Sequence, residues 1–154
     1  MASSHSESIL NGVLIQMARG FLQYVAESWP WVDEAHGAVR DEVEVLAARQ
    51  RQDVSLVANL LLEREWPTDF GSFPTEYTDM HFISLQAMLD GLKHSQGVIQ
   101  GRLDSAMRTL REAGDTEAIE LLNQVAIHEG EIRKALGDVQ QQFSAPSAAT
   151  SASA

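Results

Sequence analysis

Apolar residues recur at three- and four-residue spacing in four long blocks of this 154-residue chain. That spacing lines up side chains along one face of an α-helix, and the alternation that indicates a β-strand is absent. The blocks cover about residues 7–28, 33–64, 76–113 and 116–143. The sequence therefore predicts an all-α protein of four amphipathic helices, with a disordered N-terminus at residues 1–6 and a disordered tail of small residues at 144–154.

The connection between the second and third blocks decides how the helices are arranged. It covers about residues 65–77, which is too long for a tight turn and too rich in aromatic residues for a disordered linker. About 13 extended residues span roughly 43–47 Å, and a helix of about 31 residues is about 46 Å long. The connection can therefore return the chain to the opposite end of the bundle, which makes the second and third helices parallel.

This order of helix hairpin, long crossover and second hairpin resembles the ferritin-like superfamily. The run from Leu61 to Phe82, LLEREWPTDFGSFPTEYTDMHF, is also similar to the crossover of uncharacterised bacterial ferritin-like proteins. The resemblance covers about residues 7–143. It implies a ferritin-like four-helix bundle with one long crossover between helices two and three, and it assigns no activity.

The metal motif of the resembled family is broken in this chain. Ferritin-like di-iron enzymes use a Glu from each of two helices and a Glu-x-x-His pair from each of the other two. That pair does not occur in this sequence. On the predicted inward faces, helix two has Gln50 and Asp53, and helix four has the reversed order, His128 and Glu131. Because glutamine is a weak neutral ligand, the pattern predicts that the di-iron site has lapsed.

Polar residues nevertheless gather at one level of the predicted bundle. Heights along the helices, calculated from a rise of about 1.5 Å per residue, place five polar residues near the middle of the bundle. They are Gln50, Asp53, Gln96, His128 and Glu131. One interpretation is a divalent metal site for iron, manganese or zinc, with Asp53, His128 and Glu131 as ligands. The other, which we favour, is a hydrogen-bonded polar layer in which Asp53 or Gln50 satisfies His128, and which needs no cofactor.

Aromatic residues at one bundle end and along the crossover form a candidate interface, made of Trp29, Trp31, Trp66, Phe70 and Phe73. The crossover rings either seal this segment onto helices two and three or form a contact surface for symmetric assembly. The second alternative follows because monomers rarely leave contiguous apolar surface in water.

Composition excludes several function classes. The chain has 11 Lys and Arg against 22 Asp and Glu, a net charge of −11, so we expect neither nucleic acid nor anionic membrane as a partner. The absence of Cys excludes disulfides, thiolate zinc sites, iron–sulfur clusters and cysteine nucleophiles. No secretory signal and no apolar stretch of membrane length is recognisable, so we expect a soluble cytoplasmic protein.

These observations predict a non-enzymatic ferritin-like bundle with a lapsed di-iron site, which forms oligomers or binds a protein partner. The alternative is a metal-binding or oxidoreductase bundle with an unconventional site in the middle of the bundle.

Overall fold

A computed structural model describes residues 3–28, 30–80 and 84–144 of the chain. All regular structure in this part is helical, which confirms the all-α prediction. None of the described helices combines the length and the apolar character that a membrane span requires. The α-helices are α1 (Ser3–Ala18), α2 (Phe21–Ser28), α3 (Gly37–Glu63), α4 (Leu85–Ala113) and α5 (Thr116–Ser144), with short 3-10 helices at Glu34–His36 and Thr75–Met80.

The first predicted helix is two helices, α1 and α2, separated by a turn at residues 19–20. The hydroxyl of Ser95 on α4 accepts a hydrogen bond from the backbone N–H of Phe21 at 3.2 Å, which satisfies a donor at the start of α2. The chain is also helical from Ser3, so residues 3–6 are not the disordered segment that the sequence predicts. The reason is burial, because Ser6 and Glu7 pack into the bundle despite their polarity.

Two other helices, α3 and α4, begin later in the chain than predicted. Asp33 caps the 3-10 turn, accepting from His36 N–H at 3.0 Å, and α3 begins only after that turn. The third predicted helix, expected from residue 76, begins as α4 after Ser84, whose hydroxyl accepts from Ala87 N–H. Helix α5 runs to Ser144, one residue into the predicted tail, and Trp29 and residues 145–154 lie outside the described residues.

Two apolar clusters fill the bundle. The first combines α1 with the C-terminal halves of α3 and α4 and the N-terminal half of α5. The second combines α2 with the N-terminal halves of α3 and α4 and the C-terminal half of α5. Helices α3 and α4 therefore run in the same direction, and each packs between the α1–α2 pair and α5, at opposite corners of the bundle.

Residues 64–84 connect α3 to α4, and the described part of this connection, residues 64–80, runs along the outside of α1 and α2. The guanidinium of Arg19 donates to the carbonyls of Phe70 and Gly71 at 3.2 and 3.1 Å, and Asn11 accepts from Asp69 N–H at 2.9 Å. The Phe73 ring lies edge-on to Tyr24, with 5.5 Å between ring centroids. This segment thus packs on α1 and α2, which together correspond to the first predicted helix. The sequence analysis instead suggested packing on the second and third predicted helices, which correspond to α3 and α4.

An ionic cluster closes the end of the bundle where α3 terminates. Arg64 binds both carboxylate oxygens of Asp115 at 2.8 and 2.9 Å, and it also reaches Glu7 and Glu117 at 3.4 and 3.2 Å. Asp115 additionally accepts from Ala118 N–H at the start of α5. The bond from Arg64 is the main reason why the pKa of Asp115 falls to about 2. One guanidinium therefore ties together α1, α3 and α5.

We predict that Gly91→Ala destabilises the fold, because an added Cβ would lie 2.7 Å from a ring carbon of Phe21. The expected loss is about 1–3 kcal/mol in free energy of unfolding, measured by urea denaturation with circular dichroism. Gly101→Ala in the same helix is the matched control, since nothing lies within 4 Å of its added Cβ. The control should gain about 0.5–1 kcal/mol, and equal gains in both variants would contradict the prediction.

Candidate functional site

A layer of buried polar side chains separates the two apolar clusters. Helices α2, α3, α4 and α5 each contribute one member, namely Gln23, Gln50, Gln96 and Glu129. We call these four residues the amide layer. All four are buried, and Glu129 has an exposed fraction of 0 %. Polar groups with so little access to water must find their hydrogen-bond partners within the protein.

The layer satisfies itself through a directed series of hydrogen bonds. Gln23 Nε2 donates to Gln50 Oε1 at 3.0 Å, Gln50 Nε2 donates to Gln96 Oε1 at 2.9 Å, and Gln96 Nε2 donates to Glu129 Oε2 at 3.1 Å. Arg51 donates to Gln23 Oε1 at 3.0 Å, so the series starts at a cation and ends at a carboxylate. The amide orientations are the ones that this network requires.

Burial dominates the electrostatics of Glu129. It raises the pKa of this carboxyl to about 7, although hydrogen bonds from Gln96 and Gln50 act in the opposite direction. The negative charge of Asp53 raises it further. Glu129 can therefore gain or lose its proton close to neutral pH.

A second pair of ionisable residues lies beside the layer. Asp53 has an exposed fraction of 1 %, and its Oδ1 is 2.6 Å from Nδ1 of His128. Burial raises the pKa of Asp53, and the bond and charge of His128 lower it in part. The other oxygen, Oδ2, is buried and has no hydrogen-bond partner among the described residues. The His128 side chain is 38 % exposed, so this pair connects the interior with solvent.

His128 opens into a groove of about 510 Å³ between α3 and α5. We call it the α3–α5 groove, and its polar lining consists of Arg49, Gln52, Asp53, Gln124, His128 and Glu131. Glu131 lies on its rim, where Arg49 donates to Glu131 Oε2 at 2.8 Å and the Glu131 side chain is 55 % exposed.

The structure thus brings together two of the three predicted metal ligands, Asp53 and His128, and pairs the third, Glu131, with Arg49. Within residues 3–28, 30–80 and 84–144, no three His, Asp or Glu side chains approach closely enough to hold a metal ion together. The inward face of α5 differs from the predicted one by a rotation about the helix axis. Glu129 points inward, while Glu131 points to solvent.

The sequence contains a signal for Glu129. The fully buried positions of α5 are spaced alternately by four and three residues, and they are Ala118, Leu122, Val125, Glu129, Ile132, Leu136 and Val139. Glu129 thus occupies a regular position in the apolar stripe. Gln23 carried no such signal, because the turn at residues 19–20 changes which face of the first helical block points inward.

The candidate interface residues are separated in the structure. Trp31 is 69 % exposed at the bundle end where α4 begins, and its carbonyl accepts from Leu85 N–H. Trp66 packs in part against the first apolar cluster, and Phe73 lies between Arg19 and Tyr24. Phe70 is largely exposed, and Trp29 falls outside the described residues.

We predict that Glu129→Gln removes a pH dependence of stability. Because the pKa of Glu129 is raised from 4.5 to about 7, the native state keeps a proton that the unfolded state loses, and the free energy of unfolding falls by about 3 kcal/mol over this range. The variant has no such proton. Its stability relative to the native sequence should therefore rise by about that amount between pH 4.5 and 8, as measured by urea denaturation.

Glu120→Gln is the control, since Glu120 is an exposed carboxylate on the same helix. Asp53 is present in all three proteins, and because its charge contributes to the raised pKa of Glu129, the comparison reports the titration of Glu129 in the presence of that charge. A stability difference between Glu129→Gln and the native sequence that stays constant with pH would show that the carboxyl does not titrate in this range.

Comparison with known proteins identifies no relative of this chain. No protein-family model matches the sequence, and no curated protein or solved structure is significantly similar to it.

Proposed function

We propose that this chain is a ferritin-like four-helix bundle whose di-iron site has lapsed, and that it works as a non-enzymatic protein that assembles with copies of itself. The connectivity supports the first part. Helices α3 and α4 run in the same direction at opposite corners, and the described residues 64–80 of their connection pass along α1 and α2. A single long crossover of this kind is typical of ferritin-like bundles.

The observation that carries the proposal is the position of the amide layer. Ferritin-like di-iron proteins place a lone Glu on two helices and a Glu-x-x-His pair on the other two. In this chain the lone positions correspond to Gln23 and Gln96, and the pairs correspond to Gln50-x-x-Asp53 and Glu129-x-x-Ile132. Glu129 is the one position where the side chain of the family pattern remains.

The side chains present do not fit a di-iron centre. Two ferrous ions need several carboxylates to balance their charge, whereas Gln23, Gln50 and Gln96 are neutral. Their amide groups are also occupied by hydrogen bonds to one another. Binding metal there would leave buried donors and acceptors unpaired, which costs about 1–3 kcal/mol for each group. We therefore assign the layer a structural role in aligning the helices.

Exposed apolar side chains favour assembly as the function. Leu62 and Trp31 are 72 % and 69 % exposed, and Phe70 on the connection is 45 % exposed. Burial of such side chains between symmetric copies is a favourable use of surface that otherwise contacts water.

We predict that rebuilding the family pattern restores metal binding in the core. The variant combines Gln23→Glu, Gln50→Glu, Asp53→His, Gln96→Glu and Ile132→His and retains Glu129. It should be unstable alone, because it buries several carboxylates, and should bind about two Mn²⁺ per chain with a rise in Tm. Native mass spectrometry and thermal unfolding with and without Mn²⁺ measure both effects.

The same variant with Glu129→Gln is the control, and it should bind manganese more weakly because it lacks one ligand. A rebuilt chain that folds without taking up manganese, or that stays unfolded in excess manganese, would contradict the assignment of the layer to the ligand positions.

We predict that the native chain sediments as a dimer or larger oligomer. Trp31→Ser or Phe70→Ser should weaken this association by at least about tenfold, since buried aromatic side chains dominate interface energies. Val45→Ser is the control, because Val45 is 59 % exposed on α3 outside the candidate interface. A monomer at all concentrations, or a native mass that includes stoichiometric iron together with oxygen consumption, would refute the proposed function.

A further inference from the structure

The α3–α5 groove holds an imidazole whose orientation is fixed. Asp53 cannot turn away, because its carboxylate is buried in the wall of the groove, and its Oδ1 lies 2.6 Å from His128 Nδ1. A carboxylate accepts hydrogen bonds only, so Nδ1 of the neutral imidazole carries the proton. Nε2 is then the nitrogen with the free electron pair, on a side chain that remains 38 % exposed.

The carboxylate of Glu131 lies on the same side of α5 as His128. Glu131 follows His128 by three residues, a spacing that places two side chains next to each other, and both line the groove. The groove therefore contains two carboxylates, Asp53 and Glu131, against one permanent cation, Arg49. Arg49 is already bound to Glu131 at 2.8 Å, so an internal cation occupies the carboxylate that an external cation would need.

We propose that the α3–α5 groove binds a divalent transition metal of the zinc class through His128 Nε2 and the carboxylate of Glu131. The metal displaces Arg49 from Glu131, and water completes the coordination. Asp53 is a positioning residue, not a ligand. It donates no electron pair to the metal and holds the imidazole by its Nδ1–H, the arrangement that metal-binding histidines generally have.

Asp53 supplies an independent reason for this assignment. Its second oxygen, Oδ2, is buried without a hydrogen-bond partner in the described part of the chain, an arrangement that costs stability in the free protein. A positive charge on the imidazole side of the pair offsets that cost, because the bound metal draws electron density from the ring and strengthens the Nδ1–H bond to Asp53. The site uses no member of the amide layer, so it is independent of the proposed function.

The test is a titration of the untagged full chain with Zn²⁺ in competition with a chromophoric chelator. We expect one zinc ion per chain in this groove. His128→Ala should abolish this binding, and Glu131→Gln should weaken it. Asp53→Asn should weaken it by about 10- to 100-fold. Arg49→Gln should instead strengthen it by about fivefold, because it frees Glu131 from an exposed ion pair.

The matched control is His36→Ala. His36 forms the other described imidazole–aspartate pair, with Asp33, but this aspartate is 51 % exposed and the pair lies outside the groove. Its removal should leave the zinc affinity of the groove unchanged. Substitution with Co²⁺ gives a second readout, since its visible absorption should change in Asp53→Asn even where the metal remains bound.

The proposal is overturned if the chain binds no zinc, if His36→Ala costs as much affinity as His128→Ala, or if Arg49→Gln weakens binding or leaves it unchanged. Arg49 is a surface residue, so this last variant tests the site even if a substitution at Asp53 or His128 disturbs folding, which circular dichroism would reveal.

Discussion

The hydrogen bond between Gln96 and the buried carboxylate of Glu129 determines the arrangement of the middle of this bundle. In its ionised form this carboxylate can only accept, so it fixes which end of the Gln96 amide faces it. That choice leaves the Gln96 oxygen for Gln50, and the Gln50 oxygen for Gln23. Arg51, a donor, terminates the series at the other side. Every amide dipole in the layer therefore points the same way.

This polarity makes the layer specific for one arrangement of helices. An apolar core tolerates many packings of similar volume, whereas a series of amides is satisfied only when each helix presents its member at the correct level. Displacement of α4 by one turn would break the bonds of Gln96 to Gln50 and to Glu129, and would leave only the direct bonds from Gln50 to Glu129 in this part of the layer. Buried polar groups of this kind reduce the number of alternative structures, whatever their net contribution to stability.

Much of the fold follows from local chemistry in the sequence. The boundary between α4 and α5 can be predicted from the sequence, because Gly114 suits the left-handed conformation that it adopts there. Asp115 follows it and accepts a hydrogen bond from the N–H of Ala118 in the first turn of α5. The start of α4 is harder to predict, since Thr75, Thr78 and Ser84 are all good capping residues and only tertiary packing selects Ser84.

The site was predictable to the extent that helix faces could be drawn. The spacing of apolar residues alone predicts that Gln50 and Gln96 point inward, and it offers Asp53 as a hydrogen-bond partner for His128. Glu129 is absent from the prediction, which assigns His128 and Glu131 to the inward face of this helix instead. Gln23 depends on the turn at residues 19–20, which a single-helix interpretation of the first block cannot represent.

The long connection has a consequence for how copies of this chain can combine. Residues 64–84 can extend to about 70 Å, while α3 is only about 40 Å long. Its described part, residues 64–80, is held on α1 and α2 by a few hydrogen bonds and ring contacts. If it detaches, two molecules can exchange their α4–α5 hairpins and rebuild the same interior twice. The amide layer requires one residue from each of α2, α3, α4 and α5, and these residues can come from the same polypeptide or from two.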